Sequence, residues 1–119
     1  MKNLEIFKIE NLFHYTEYDK ELASQMMQMA IVDIPVFFKS AEESLIQKKN
    51  EAARRLLHKI KGIAGVIGAE RIHSLSQDCE ASLQAQSDDD NITILINILK
   101  TEIELFCHTD EVNDVAGLA

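Results

Sequence analysis

The chain has no tryptophan, one proline and four glycines in 119 residues. So few backbone breakers favour an all-helical chain. No apolar run approaches the roughly 20 residues of a membrane span. The stretch Met1-Lys2-Asn3-Leu4-Glu5 lacks the long apolar region of a signal peptide. The two cysteines, Cys79 and Cys107, fall at helical positions and read as free thiols in a reducing compartment, which makes the cytoplasm the expected location. There is no Walker-type loop, no paired-cysteine zinc spacing and no nucleophile elbow, so an ATP site is not encoded here. Basic residues are also scarce. Twelve lysines and arginines stand against twenty acids, a net charge of −8, which argues against nucleic acid as a partner.

What is present is enough for one soluble domain. Hydrophobic residues make up 46% and charged residues 27%, and the length supports a single core but not two. The acidity is uneven. Between residues 48 and 61, Lys48, Lys49, Arg54, Arg55, Lys59 and Lys61 face the single acid Glu51, so half of the twelve basic residues lie in this stretch. A local positive patch on an acidic protein suits an acidic partner pocket.

The same stretch runs into His58-Lys59-Ile60-Lys61-Gly62-Ile63-Ala64-Gly65-Val66-Ile67-Gly68. Glycine costs a helix interior about 0.8–1.0 kcal/mol relative to alanine, so Gly62 and Gly65 call for a reason. At about 100° per residue, Ala53, Leu56, Leu57, Ile60, Ile63, Ala64 and Ile67 share one arc of roughly 120°, the core stripe of an amphipathic helix. His58 falls about 160° from the centre of that stripe, with Arg54, Lys61, Gly62 and Gly65 within about 60° of it. Arg55 and Glu51 flank the same face. The expectation is an exposed histidine on a rigid helix, with cations beside it and missing side chains that let a partner approach closely. Neutral imidazole is nucleophilic and can form covalent intermediates. Lys61, one turn on, can reach a group carried on the ring, and its ammonium suits a phosphoryl dianion.

The motif His58-x-x-Lys61-Gly62, with Gly68 ten residues after the histidine, resembles the histidine phosphotransfer (HPt) domain family of bacterial two-component phosphorelays. The segments Asp19 to Pro35, Gly68 to Ile72 and Cys79-Glu80 are similar to the neighbouring family helices. Where many members carry small hydroxyl or amide residues after the Lys-Gly pair, this chain has Ile63, Ala64 and Val66. The resemblance implies an antiparallel four-helix bundle with a short extra N-terminal helical segment. It implies a phosphocarrier, not an enzyme with its own kinase module. His58 would be the phosphoacceptor and Lys61 would stabilise the phosphoryl charge. Arg54, Arg55, Gly62 and Gly65 would form the docking face. Partners would be receiver domains of response regulators, such as those of a hybrid histidine kinase and a downstream regulator. Mg²⁺ would belong to the receiver, with no cofactor or metal on this chain, and the protein would act as a monomer.

Along the chain, residues 4–14 read as a short helix or an extended lead-in. Thr16 or Asp19 offers the N-cap of a helix that kinks or restarts near Asp33, because Pro35 lacks an N–H. Asn50 reads as the N-cap of the motif helix. Ala69 to about Gln86 forms the next helix, with Ile72, Leu75, Cys79 and Leu83 on one stripe. Residues 92–106 finish the bundle. Their β-branched run, Ile92 to Ile98, could be a strand, but a lone strand would have no sheet to join. Ile94, Ile98 and Leu105 widen its apolar face and are expected to pack under the N-terminal segment, the alternative being a contact surface. The domain is expected to span 1–108, with 109–119 a frayed acidic tail.

Glu70-x-x-His73 has di-iron spacing, but such sites need a second copy and two more glutamates, so it reads as non-metal. His14 and His108 read as solvated or capping residues. The competing functional reading is a helical adaptor or inhibitor that docks on a kinase or receiver without carrying phosphate.

Overall fold

The computed structural model describes residues 3–118, and these fold into six helices with no strand among the described residues. They are α1 (Ile9–Tyr15), α2 (Lys20–Ile46), α3 (Asn50–Ile67), α4 (Glu70–Gln84), α5 (Asp89–Cys107) and α6 (Asp110–Ala116). Helices α2 to α5 pack in a ring, each on the next and α5 back on α2. Met27, Ile34 and Phe38 of α2, Leu57, Ile60 and Ile67 of α3, Ile72 of α4 and Leu99 and Phe106 of α5 fill the centre. The short α1 packs on α2 and α3, and α6 packs on α2.

Two helices begin at aspartate caps, one of them the expected Asp19. The Asp19 side chain accepts a hydrogen bond from Leu22 N at 3.0 Å and caps α2. Asp88 does the same for α5 through Asn91 N at 2.8 Å. These bonds satisfy N–H groups that have no partner within the first turn. The β-branched run of α5 is helical, with Ile92, Ile96, Leu99, Ile103 and Phe106 buried on one stripe. Burial of that stripe outweighs the small β preference of isoleucine.

Other expectations need correction. Helix α2 neither breaks nor restarts near Asp33; it runs through Pro35 as one element. Ile34 and Phe38, on either side of the proline, are both buried, so tertiary packing holds a helix that the local chemistry disfavours by about 3 kcal/mol. Asn50 is the first helical residue rather than the cap; Lys49 occupies that position and makes no side-chain cap bond. Residues 109–119 are not a frayed tail over the part described. Val112 and Ala116 are buried, Gln28 Nε2 donates to Ala116 O at 2.7 Å, and Asn113 Nδ2 donates to Cys107 O at 3.1 Å. Acidic residues hid a two-residue apolar stripe too short to register as a period. Ile94, Ile98 and Leu105 stay exposed rather than packing under the N-terminal segment. That segment instead crosses the α3–α4 turn. Residues 1, 2 and 119 lie outside the described residues.

The turn after α3 fixes where the motif helix ends. Gly68 adopts φ +86°, and a Cβ there would overlap the Lys8 carbonyl oxygen. Lys8 N donates to Gly68 O at 2.7 Å, and Arg71 N donates to Glu5 O at 3.3 Å. Only glycine satisfies both the left-handed backbone and the close strap.

Candidate functional site

Helix α3 buries Ala53, Leu57, Ile60, Ala64 and Ile67 on one stripe. The opposite side therefore carries His58, whose side chain is 63% exposed. Beneath the ring lies Glu80 of α4, with only 9% of its side chain exposed. Glu80 shares the buried face of α4 with Ile72, Ser76, Cys79 and Leu83, so the packing of α4 on α3 delivers a carboxylate to the base of the histidine.

His58 Nδ1 is 3.2 Å from both Glu80 oxygens. An ionised carboxylate can only accept, so Nδ1 donates in this contact; for the neutral ring that selects the Nδ1–H tautomer and leaves the Nε2 lone pair free. Two cations complete the cluster. Lys61 Nζ lies 3.2 Å from Glu80 Oε1, and Arg54 Nη1 lies 3.6 Å from Oε2. A buried carboxylate needs such partners, because removing the charge from water is otherwise costly.

The basic patch thus differs from the expectation of free charge awaiting an acidic partner. Arg54 is an internal strut. Its Nε and Nη2 donate to the two oxygens of Glu51 at 2.9 and 2.7 Å while Nη1 faces Glu80. The Arg54 hydrogen bond holds the Glu51 carboxyl down at about 2 and raises Arg54 in turn. Arg55 also reaches Glu51, at 3.4 Å, but stays 74% exposed. Lys59 turns away, 5.4 Å above the Phe37 ring of α2, and Lys48 pairs with Asp89.

The two glycines separate. A Cβ on Gly62 would meet nothing, so that surface beside His58 is open. A Cβ on Gly65 would lie 3.3 Å from Cδ2 of His73. Gly65 therefore gives room to a side chain of α4 as well as lying on the exposed face. Next to Gly62 an apolar groove runs between α2 and α3, lined by Met26, Met29, Asp33, Ile63 and Val66. Met29 and its neighbours Val32 and Val36 are exposed.

The remaining candidates have local roles. Glu70 accepts from Glu5 N at 3.2 Å, and His73 packs on Gly65. His108 sits at the C-cap of α5 with Nδ1 2.8 Å from Glu104 O, and His14 packs edge-on against Tyr18. Cys79 and Cys107 are free. Burial, aided by Asp78, pushes the Cys79 thiol up to about 12, and burial also raises Cys107. Among the described residues no three His, Cys, Asp or Glu side chains are grouped to hold a metal ion.

Glu80 was not singled out from sequence. The available signal was its register: an acid inside the apolar stripe of α4, four residues after Ser76 and three before Leu83, must find cations on a neighbour.

No helix among the described residues is long and apolar enough to cross a membrane. The signal transduction histidine-protein kinase BarA of Escherichia coli strain K12 is 29% identical over 96 residues, covering 81% of this chain and 10% of that protein. BarA of Escherichia coli O157:H7 matches to the same extent. This chain therefore spans about a tenth of the length of the curated relatives it matches. No solved structure matches it at comparable significance. The Hpt domain model matches residues 25–108, which contain α3, α4, α5 and most of α2, and the chain belongs to the Hpt domain family.

Proposed function

We propose that this protein is a phosphorelay intermediate that accepts a phosphoryl group on His58 Nε2 and passes it on, exchanging it with aspartates of response-regulator receiver domains. The observation that carries the reading is the His58 ring: Nδ1 is held by Glu80 while the rest is exposed. Helices α2–α5, joined by short turns, would form an antiparallel four-helix bundle with α1 and α6 packed against α2. That frame keeps α3 rigid under the reacting ring.

In the transfer, Nε2 attacks the phosphorus of a receiver's aspartyl phosphate in line. Lys61 sits beside the ring and can swing from Glu80 to an equatorial phosphoryl oxygen, stabilising charge there. The open surface at Gly62 and the apolar groove beside it receive the receiver, with Arg55 as the exposed cation on that side. Mg²⁺ would be held by the receiver. The chain would be a carrier with no ATP site of its own, working in the cytoplasm as a monomer, between the receiver of a hybrid kinase and that of a downstream regulator.

The test is incubation with a phosphorylated, labelled receiver domain and Mg²⁺, comparing the wild type with His58→Gln. Acid-labile, base-stable label on the wild type alone supports the reading. No label with several receivers would shift the weight to an adaptor that binds kinases or receivers without carrying phosphate. In that case His58→Ala would keep its activity.

A further inference from the structure

A ring that needed only to be aimed could be held by a backbone carbonyl. His58 is held instead by a carboxylate that is almost wholly buried and paired with Lys61 and Arg54. The significance of this partner rests on the phosphoacceptor reading of His58, because the carboxylate matters most once the ring is phosphorylated.

A phosphoryl group on Nε2 leaves the second ring nitrogen in one of two states. With Nδ1 bare, cleavage of the N–P bond must expel an imidazolide anion, a poor leaving group. With Nδ1 protonated, the same cleavage releases neutral imidazole. This difference is why phosphohistidine is acid-labile. We propose that Glu80 keeps the proton on Nδ1 after phosphorylation, so that phospho-His58 stays an imidazolium and remains ready to discharge at neutral and mildly alkaline pH.

The balance closes without an outside proton. On charging, the Nε2 lone pair forms the N–P bond, and the donor's P–O bond breaks with its electron pair leaving on the aspartate. Nδ1 keeps its hydrogen, and the new ring charge faces Glu80. On discharge, an acceptor carboxylate oxygen bonds to phosphorus, the N–P bond breaks, and its pair returns to Nε2. The ring is again neutral and still carries Nδ1–H. Glu80 is thus a positioning residue that also acts as a fixed counter-charge.

The surrounding charges fit this role. From α3, Arg54 and Lys61 contact Glu80, while Arg55 and Glu51 pair with each other. From α4, His73 lies further along against Gly65, and from α2, Asp33 lines the groove beside Gly62. Among the described residues Glu80 is the only side chain in polar contact with the ring.

The experiment charges wild type and Glu80→Gln from a labelled receiver, removes the receiver, and follows loss of label between about pH 6 and about pH 9, where an unassisted ring changes protonation. The wild type is expected to lose label at a nearly constant rate across that range. The variant is expected to hold its label longer near pH 8, by roughly tenfold or more, and to lose it faster as the pH falls, since each unit of displaced protonation is about tenfold in the protonated fraction. Transfer to a fresh receiver should slow in parallel. A steep pH dependence in the wild type, or a variant profile matching the wild type, overturns the proposal. Should the variant fail to fold, ¹⁵N resonances of the wild-type ring in the charged protein decide it: a bare Nδ1 refutes it. Failure to charge the wild type at all would refute the phosphoacceptor reading instead.

Discussion

Two glutamates lie largely buried between helices of this bundle, and they do different things. Glu80 of α4 faces α3 and has three partners, one of them an exposed, titratable ring. Glu102 of α5 faces α4 and pairs with Arg71, while its second oxygen is buried without a partner. Both acids tie neighbouring helices together through a guanidinium or ammonium group. Only Glu80 has a partner whose far side is open to a second protein. A buried carboxylate bonded to a permanent cation is a brace. A buried carboxylate bonded to an exposed nucleophile is a setting for chemistry.

The largest expected effect lies at the brace. Arg71→Ala leaves Glu102 buried and unpaired, which should cost about 2–3 kcal/mol, less than a fully enclosed pair because Arg71 is partly exposed. Thermal or urea unfolding checks this, and phosphotransfer at a temperature where the variant is folded should be unchanged. Slowed transfer there would erase the distinction between the two acids. At the setting the pattern should reverse. Lys61→Ala is expected to slow transfer by roughly 10–100-fold, about 1.4–2.7 kcal/mol of barrier, with a smaller fall in unfolding midpoint than at the brace, because Arg54 still pairs with the buried Glu80. Rapid-quench kinetics beside a melting curve would show it, and a large stability loss with normal transfer would contradict it.

A smaller effect should part the two glycines beside the site. Gly62→Ala meets open space and should stabilise the helix by about 0.8–1 kcal/mol. Gly65→Ala should gain less, because the His73 ring must give way. Equal gains in denaturant midpoints would mean that His73 does not press on Gly65. Gly62→Leu should keep the fold yet block docking, seen as weaker binding of a receiver domain.

The smallest effect concerns acid. The Glu51 carboxyl is lower when folded, at about 2 against an ordinary 4.5. Its contribution to stability is therefore present above about 4.5 and fades as the pH falls toward about 2. Glu51→Gln should flatten that part of the pH–stability curve slightly, since the pair is solvent-exposed. An unchanged curve would mean the Arg54 strut does not depend on Glu51.

Local period made much of this molecule readable from its residues. The α3 stripe, the exposed position of His58, the cap at Asp19 and the helical nature of α5 follow from spacing and capping chemistry. Pairings across helices were less accessible. The pairing of Arg54 with Glu80 was hidden because that acceptor on α4 lies 26 positions away. Gly65 looked like pure clearance because His73 belongs to another helix. Pro35 was expected to kink or restart α2; the helix does not restart, and buried neighbours stand on both sides of the proline. The helix α6 has only Val112 and Ala116 to anchor it, too few for a period to emerge from an acidic segment. Ile94, Ile98 and Leu105 pointed to a covered face that the fold leaves bare.

The two-pronged contact between Glu80 and Nδ1 also has an entropic side. Both oxygens lie at the same 3.2 Å from one nitrogen, so the fork limits the rotation of the imidazole about both of its side-chain torsions. Freezing a side chain during association typically costs about 0.5–1.5 kcal/mol. In His58 that freedom is already restricted when the chain folds, and Nε2 points in one direction before any partner arrives. The ordering that remains when two proteins meet would fall mainly on the visitor's loops, and on the proposed carrier reading His58 would present each successive visitor with the same fixed target.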